Sequence, residues 1–226
     1  MKRSCSVSGS FYYHDAKALE EEYGYFDDVS TKHDSPLPVS AFPQALIVPH
    51  AGYRYSGFTA SCAYRNIPQG VYERVVVLGP SHSVFLEGVS ALDVQGYETP
   101  FGDLTANPIT YEALHVKGLI HSFPAAHQEH STEVQFPFIY HYLEALPTLE
   151  LVYGNVRHED LCAIIETVFS DPKCLLIVST DLSHFYTQDE ANRKDKVCMR
   201  AIEGLHVEKL DAAECEACGK AGVKAL

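Results

Sequence analysis

Three histidines stand just after short apolar runs, where they are placed to bind a metal or to move protons. The runs are Leu46-Ile47-Val48-Pro49-His50, Val75-Val76-Val77-Leu78-Gly79-Pro80-Ser81-His82 and Leu175-Leu176-Ile177-Val178-Ser179-Thr180-Asp181-Leu182-Ser183-His184. Each run is short and rich in β-branched residues or leucine, as a strand buried on both faces requires. Open parallel sheets take their ligands beyond the carboxyl ends of the strands, so imidazoles emerging there are candidates to share one metal ion or to transfer protons. A lone histidine beside a strand is more often a hydrogen-bonded structural residue. Three in the same setting favour a site, and the small neighbours Ala51-Gly52 and Gly79-Pro80-Ser81 leave room beside two of the rings.

The elements that must carry these residues alternate between strand and helix. Residues 16–23 predict a short helix and 27–43 a linker dominated by Asp, Ser, Pro and Thr. A strand starts near Ala45, a helix spans 55–66 behind Ser56-Gly57, and a second strand covers 75–78. Residues 88–101 read as a short antiparallel excursion, and 107–114 as a helix with Pro108 in its first turn. A loop with three histidines follows over 121–130, of which His121 and His127 read as surface residues. Ser131 is placed to cap a helix over 132–146 despite Pro137; strands at 149–153 and 175–178 flank a helix at 159–169. Helices over 194–205 and 211–216 complete a three-layer α/β/α fold with a parallel or mixed sheet, in one domain of 226 residues. The chain ends inside an element, which predicts that a C-terminal piece is missing.

A formal charge of -13, from 17 basic and 30 acidic residues, argues against a nucleic-acid surface, which needs clustered Lys and Arg. No stretch reaches the ~18 apolar residues of a membrane span, and the N-terminus lacks a signal-peptide core, so a cytosolic location is expected. Seven cysteines at 5, 62, 162, 174, 198, 215 and 218 do not form the paired framework of a secreted domain, and most are expected to be buried thiols. The exception is Cys215-Glu216-Ala217-Cys218, two thiols near a helix start, a setting that favours thiolate.

Several segments together resemble the Memo family, which includes the mediator of cell motility and the AmmeMemoRadiSam system protein B group. They are Gly9-Ser10-Phe11-Tyr12, Val48 through Gly57, Leu78 through His82, Glu129-His130-Ser131-Thr132-Glu133, Ser179 through His184 and Ala217-Cys218-Gly219. The resemblance covers nearly the whole chain and implies a fold like that of class III extradiol dioxygenases. It implies His50, His82 and Cys218 as metal ligands, with His184 and Asp181 lining the same pocket. Departures are Tyr13, where relatives have proline, and an irregular stretch at 121–127.

Two neutral imidazoles and a thiolate leave coordination positions open, which suits iron(II), copper or catalytic zinc, while the soft thiolate tilts the site toward copper(I) or zinc. A histidine near its ordinary pKa handles protons at neutral pH, the role expected of His184, with Asp181 orienting it or capping a helix. Glu129, His130 and Glu133 are candidates to support the ligands, although Glu133 also fits a capping box, and Tyr53 and Tyr55 read as packing. Three functions follow: an iron or copper protein with redox or dioxygenase-type activity on a small substrate, a zinc-dependent hydrolase, or a module that binds a peptide or partner without turnover. The resemblance also implies radical SAM and AMMECR-type proteins as partners.

Overall fold

The computed structural model of the chain describes residues 1–33, 42–211 and 215–226. Its strands are β1 (Lys2–Arg3), β2 (Ala45–Val48), β3 (Arg74–Pro80), β4 (Val89–Ser90), β5 (Gly96–Thr99), β6 (Gly102–Thr105), β7 (Thr148–Tyr153) and β8 (Cys174–Ser179). Its α-helices are α1 (Ala16–His33), α2 (Tyr53–Tyr64), α3 (Pro108–Val116), α4 (His130–Glu133), α5 (Phe136–Tyr142), α6 (His158–Phe169), α7 (Gln188–Glu203), α8 (Val207–Leu210) and α9 (Lys220–Ala225).

The main sheet has the order β2-β8-β3-β7-β4, with β2, β8, β3 and β7 parallel and β4 antiparallel. Side chains alternate across its pleat. Val75, Val77, Leu175 and Ile177 join the core under α1, α2 and α5, whereas Val76, Leu78, Leu176 and Val178 join the core under α3, α6 and α7. Both faces are therefore covered, the condition under which parallel strands read as unbroken apolar runs, and the result is the expected α/β/α sandwich. A smaller sheet, β1-β5-β6, flanks it. The three adjacent strands β2, β8 and β3, running from the edge to the centre of the sheet, end at the segments carrying His50, His184 and His82, so their shared carboxyl edge gathers the histidines.

Several expectations require correction. Helix α1 runs on through residues 27–33, seven of the seventeen residues of the expected linker, because Leu19, Tyr23, Phe26 and Ser30 keep helical spacing and are all buried; residues 34–41 lie outside the described residues. Helix α2 opens at Gly52 rather than at Ser56-Gly57. The helix expected over 132–146 is two helices, α4 and α5, since Pro137 has no N–H to give to the carbonyl four residues back. Helix α7 begins six residues before position 194, at Gln188. Of the helix expected over 211–216, residues 212–214 lie outside the described residues, and 211, 215 and 216 are not helical. His127 is buried, not on the surface, in a 3-10 turn over Pro124–His127, whereas His121 is exposed as expected.

The cysteines also differ from expectation. Cys198 of α7 is joined to Cys215 by a disulfide, and of the free cysteines only Cys174 is fully buried. The Cys215-x-x-Cys218 motif is thus divided: its first sulfur ties the C-terminal segment to α7, and its second remains available.

No described helix is long and apolar enough to cross a membrane.

Candidate metal centre

His50 leaves β2 in a turn held from the neighbouring strand end. The Asp181 carboxylate accepts the backbone N–H groups of His50 (2.7 Å) and Ala51 (3.1 Å), so Asp181 shapes the His50 loop and caps no helix. The imidazole is buried, and its Nδ1 lies 2.9 Å from Ser179 Oγ. That hydroxyl donates its single hydrogen to the Ser131 carbonyl (2.6 Å) and accepts from Gln135 Nε2 (3.0 Å). It therefore takes a hydrogen from His50 Nδ1, which leaves Nε2 as the coordinating nitrogen.

His82 is fixed in the same manner by one buried carboxylate. Glu129 accepts from the backbone N–H of His82 (2.7 Å), Ser83 (3.3 Å) and Ser131 (3.1 Å), from His82 Nδ1 (3.2 Å) and from His130 Nδ1 (2.9 Å). Glu129, not Ser131, is the N-cap of α4. A carboxylate that receives the distal N–H of an imidazole sets its tautomer and orientation, and here it turns the Nε2 edge of His82 toward the cluster. His82, Glu129 and His130 also form a second group with closely spaced donor atoms. Because Glu129 is already saturated by five N–H donors, this group supports the first rather than forming a centre of its own.

Cys218 is brought in by the C-terminal segment. Its N–H donates to the Asp181 carbonyl (3.2 Å), the Gly219 N–H donates to Thr180 Oγ1 (2.8 Å), and the Asp181 N–H donates to Cys218 Sγ (3.2 Å). A Cβ on Gly219 would lie 2.5 Å from the Ser179 carbonyl oxygen, so only glycine lets this segment sit against the end of β8. The sulfur lies 3.2 Å from His50 Nε2, and one donor atom each from His50, His82 and Cys218 lie within 4.8 Å of one another. The chemistry of this set fits a metal: two imidazole nitrogens and one sulfur converge on one point, their distal hydrogens are bound elsewhere, and one side faces solvent through the partly exposed His82 ring.

His184 is exposed to 41% and stands 3.7 Å from Asp181 Oδ2, which in turn lies 4.0 Å from His50 Nε2. The two residues thus border the cluster. His130 is the imidazole that sequence reasoning undervalued: its ring centroid lies 4.7 Å from that of His82 and 5.5 Å from that of His50. Its position just after Glu129, in the segment Glu129-His130-Ser131-Thr132-Glu133, was the available signal. Glu133 neither caps nor supports a ligand; it accepts from the N–H of Ser6 and Val7, from the Tyr12 hydroxyl and from Arg3. Tyr53 packs in the core and Tyr55 is exposed.

The ionisation of the metal-free cluster gives the sulfur its ligand form and leaves His82 a proton that a metal would have to displace. Burial alone would push the Cys218 thiol up, but hydrogen bonds from His50 and His82 outweigh it and bring the thiol down to about 5. The Cys218 and Glu129 partners hold the His82 imidazolium up to about 10. Glu129 stays ionised because bonds from His130 and His82 overcome its burial. Metal-free protein therefore holds a thiolate beside an imidazolium at neutral pH. We expect iodoacetamide at pH 6.5 to alkylate Cys218 first, with Cys174, which burial pushes up to about 12, unreactive in the folded state. Peptide mapping of the alkylated protein checks this; equal labelling of the two would contradict the assigned ionisation.

Comparison with known proteins identifies the family of the chain. A family model described as "Memo-like protein" matches residues 3–225. A "MEMO1 family protein" of Aquifex aeolicus is 32% identical over 213 residues, covering 92% of this chain and 77% of its own length. Another "MEMO1 family protein", from Thermotoga maritima, is 31% identical over 242 residues, covering 100% of this chain and 87% of its own length. The "Protein memo-1 homolog" of Caenorhabditis elegans is 31% identical over 226 residues, 90% of this chain and 63% of that protein. A family match spanning residues 3–225, together with a relative 32% identical over 92% of the chain, makes this chain a member of the Memo family.

Proposed function

We propose that the chain is a metalloprotein with one mononuclear site made by His50, His82 and Cys218, and that it uses iron or copper for redox chemistry on a small substrate. The observation carrying this reading is the convergence of three donor atoms within 4.8 Å, with the sulfur already held as thiolate. When bound, iron or copper would supply electron transfer and an open position for oxygen or substrate. The chain's own residues do the rest. His50 and His82 present Nε2 because Ser179 and Glu129 occupy their other nitrogens. His184, exposed beside the cluster, takes or gives a proton at its ring, and Asp181 Oδ2 orients that ring. The thiolate in the third position separates this site from the two-histidine, one-carboxylate set of the extradiol dioxygenases and favours copper(I) or zinc over ring-cleaving iron chemistry.

Elemental analysis of protein purified anaerobically, without added metal or chelator, tests the reading. Near-stoichiometric iron or copper is expected. Zinc together with ester or amide hydrolysis would replace it with the hydrolytic reading, in which the metal activates water and His184 serves as acid or base. No retained metal, with partner binding that is abolished in His50→Ala, would replace it with a non-catalytic binding module that uses this pocket.

A further inference from the structure

Away from the metal cluster, a buried carboxylate oxygen lacks a partner. Glu22 Oε2, on α1, is covered from solvent and accepts no hydrogen bond. Glu22 lines a cavity of about 200 Å³ formed where α1 meets the Gly9–Tyr13 turn and the first turn of α2. Burial pushes the Glu22 carboxyl up, as expected of a carboxylate with no cation beside it.

The remaining lining residues define a ligand. Arg54 is the other charged residue of the cavity; it is exposed, and its guanidinium makes no hydrogen bond or ion pair among the described residues. Tyr12 and Tyr53 send their hydroxyls inward, to Glu133 (2.8 Å) and to the Val134 carbonyl (2.7 Å). What they and Phe11 offer the cavity is ring carbon, an apolar wall between one uncompensated negative and one uncompensated positive group. A plain amine entering here meets the repulsion of Arg54, and a plain acid meets that of Glu22. A molecule carrying an ammonium and a carboxylate on one carbon satisfies both, and its side chain has an apolar surface to lie on. The volume suits a compact side chain, being below the ~300 to 1,000 Å³ of sites for larger ligands.

We propose that this cavity binds a free α-amino acid with an apolar side chain, its ammonium on Glu22 and its carboxylate on Arg54. The cavity uses none of the three metal-cluster residues, so metal content serves as an independent control of folding.

Isothermal titration of the full chain with three molecules of one skeleton tests the proposal: L-leucine, isopentylamine and 4-methylpentanoate. L-leucine is expected to bind at least about ten-fold more tightly than either analogue, since isopentylamine forgoes the pair with Arg54, and 4-methylpentanoate forgoes the pair with Glu22 and meets its repulsion. Glu22→Gln is expected to weaken L-leucine about ten-fold and to leave 4-methylpentanoate no weaker. Arg54→Gln, at an exposed position that the fold tolerates, is expected to weaken L-leucine and to leave isopentylamine no weaker. Circular dichroism and metal content should match the parent protein in both variants. The proposal is overturned by absence of L-leucine binding up to about 10 mM, by an analogue that binds as tightly as L-leucine, or by an Arg54→Gln protein that binds L-leucine unchanged.

Discussion

In His50→Ala, His82→Ala and Cys218→Ala, metal affinity should fall by more than about 100-fold, since loss of a direct ligand exceeds the roughly 10- to 100-fold cost of losing a supporting hydrogen bond. Glu129→Gln should fall within that lower range. Its amide would set an N–H group against the backbone N–H donors of His82, Ser83 and Ser131, and would weaken the hold on both His82 and His130. A competition titration against a chelator of known affinity measures all four variants. The order separates two kinds of residue: if Glu129→Gln lost as much as His82→Ala, Glu129 would be a ligand rather than a support. Equal affinity in His50→Ala and the parent would remove His50 from the site.

The largest loss of stability is expected at Arg3→Met. Arg3 is buried at the end of β1 between two buried carboxylates, paired with Glu133 and 3.4 Å from Glu150. Glu150 also accepts from His127 Nδ1 (2.6 Å) and Thr132 Oγ1 (2.5 Å), so the guanidinium ties the N-terminal strand to the floor beneath the metal cluster. Burial raises both glutamates, but the Arg3 charge and the surrounding donors outweigh it and hold each below the ordinary carboxylate range. Removing one partner of a buried ion pair costs about 3–5 kcal/mol because the other charge stays behind. The sign with pH follows from the depressed values. In the parent protein the contribution is present above the unfolded carboxylate pKa of about 4.5 and fades as pH falls through the lower folded values. In Arg3→Met the carboxylates can escape by protonating, so the gap to the parent should be widest near pH 7 and narrow below about pH 5. Urea unfolding at both pH values measures it, and a gap that widened in acid would contradict this role.

The strands and the histidines were legible because their signals are local. Runs such as Val75-Val76-Val77-Leu78 admit little but a strand covered on both faces, and proline, glycine and serine mark where it stops. Cys218 was legible through family resemblance alone, since nothing in a lone CxxC tells which sulfur stays free. Its neighbour Cys215 pairs with Cys198, which lies on helix α7, a contact that spacing does not encode. Arg3 was missed because a Lys-Arg pair at an N-terminus reads as a solvated surface; only the fold reveals two acids waiting for it. His127 was assigned to the surface for the same reason: its hydrogen-bond partners, Ser90 (2.9 Å) and Glu150, come from other strands. The length of α1 was underestimated because the composition of residues 27–33 outweighed the buried spacing of Phe26 and Ser30. Polar residues that are buried because distant residues meet them lie beyond local pattern reading.

Titration of metal-free protein with cobalt(II), followed by electronic absorption, tests the central claim most directly. The account expects one equivalent to bind, with an intense near-ultraviolet band from sulfur-to-cobalt charge transfer that is lost in Cys218→Ser and retained in Cys174→Ser. Binding without that band, or a band that survives Cys218→Ser, would contradict a centre built from His50, His82 and Cys218.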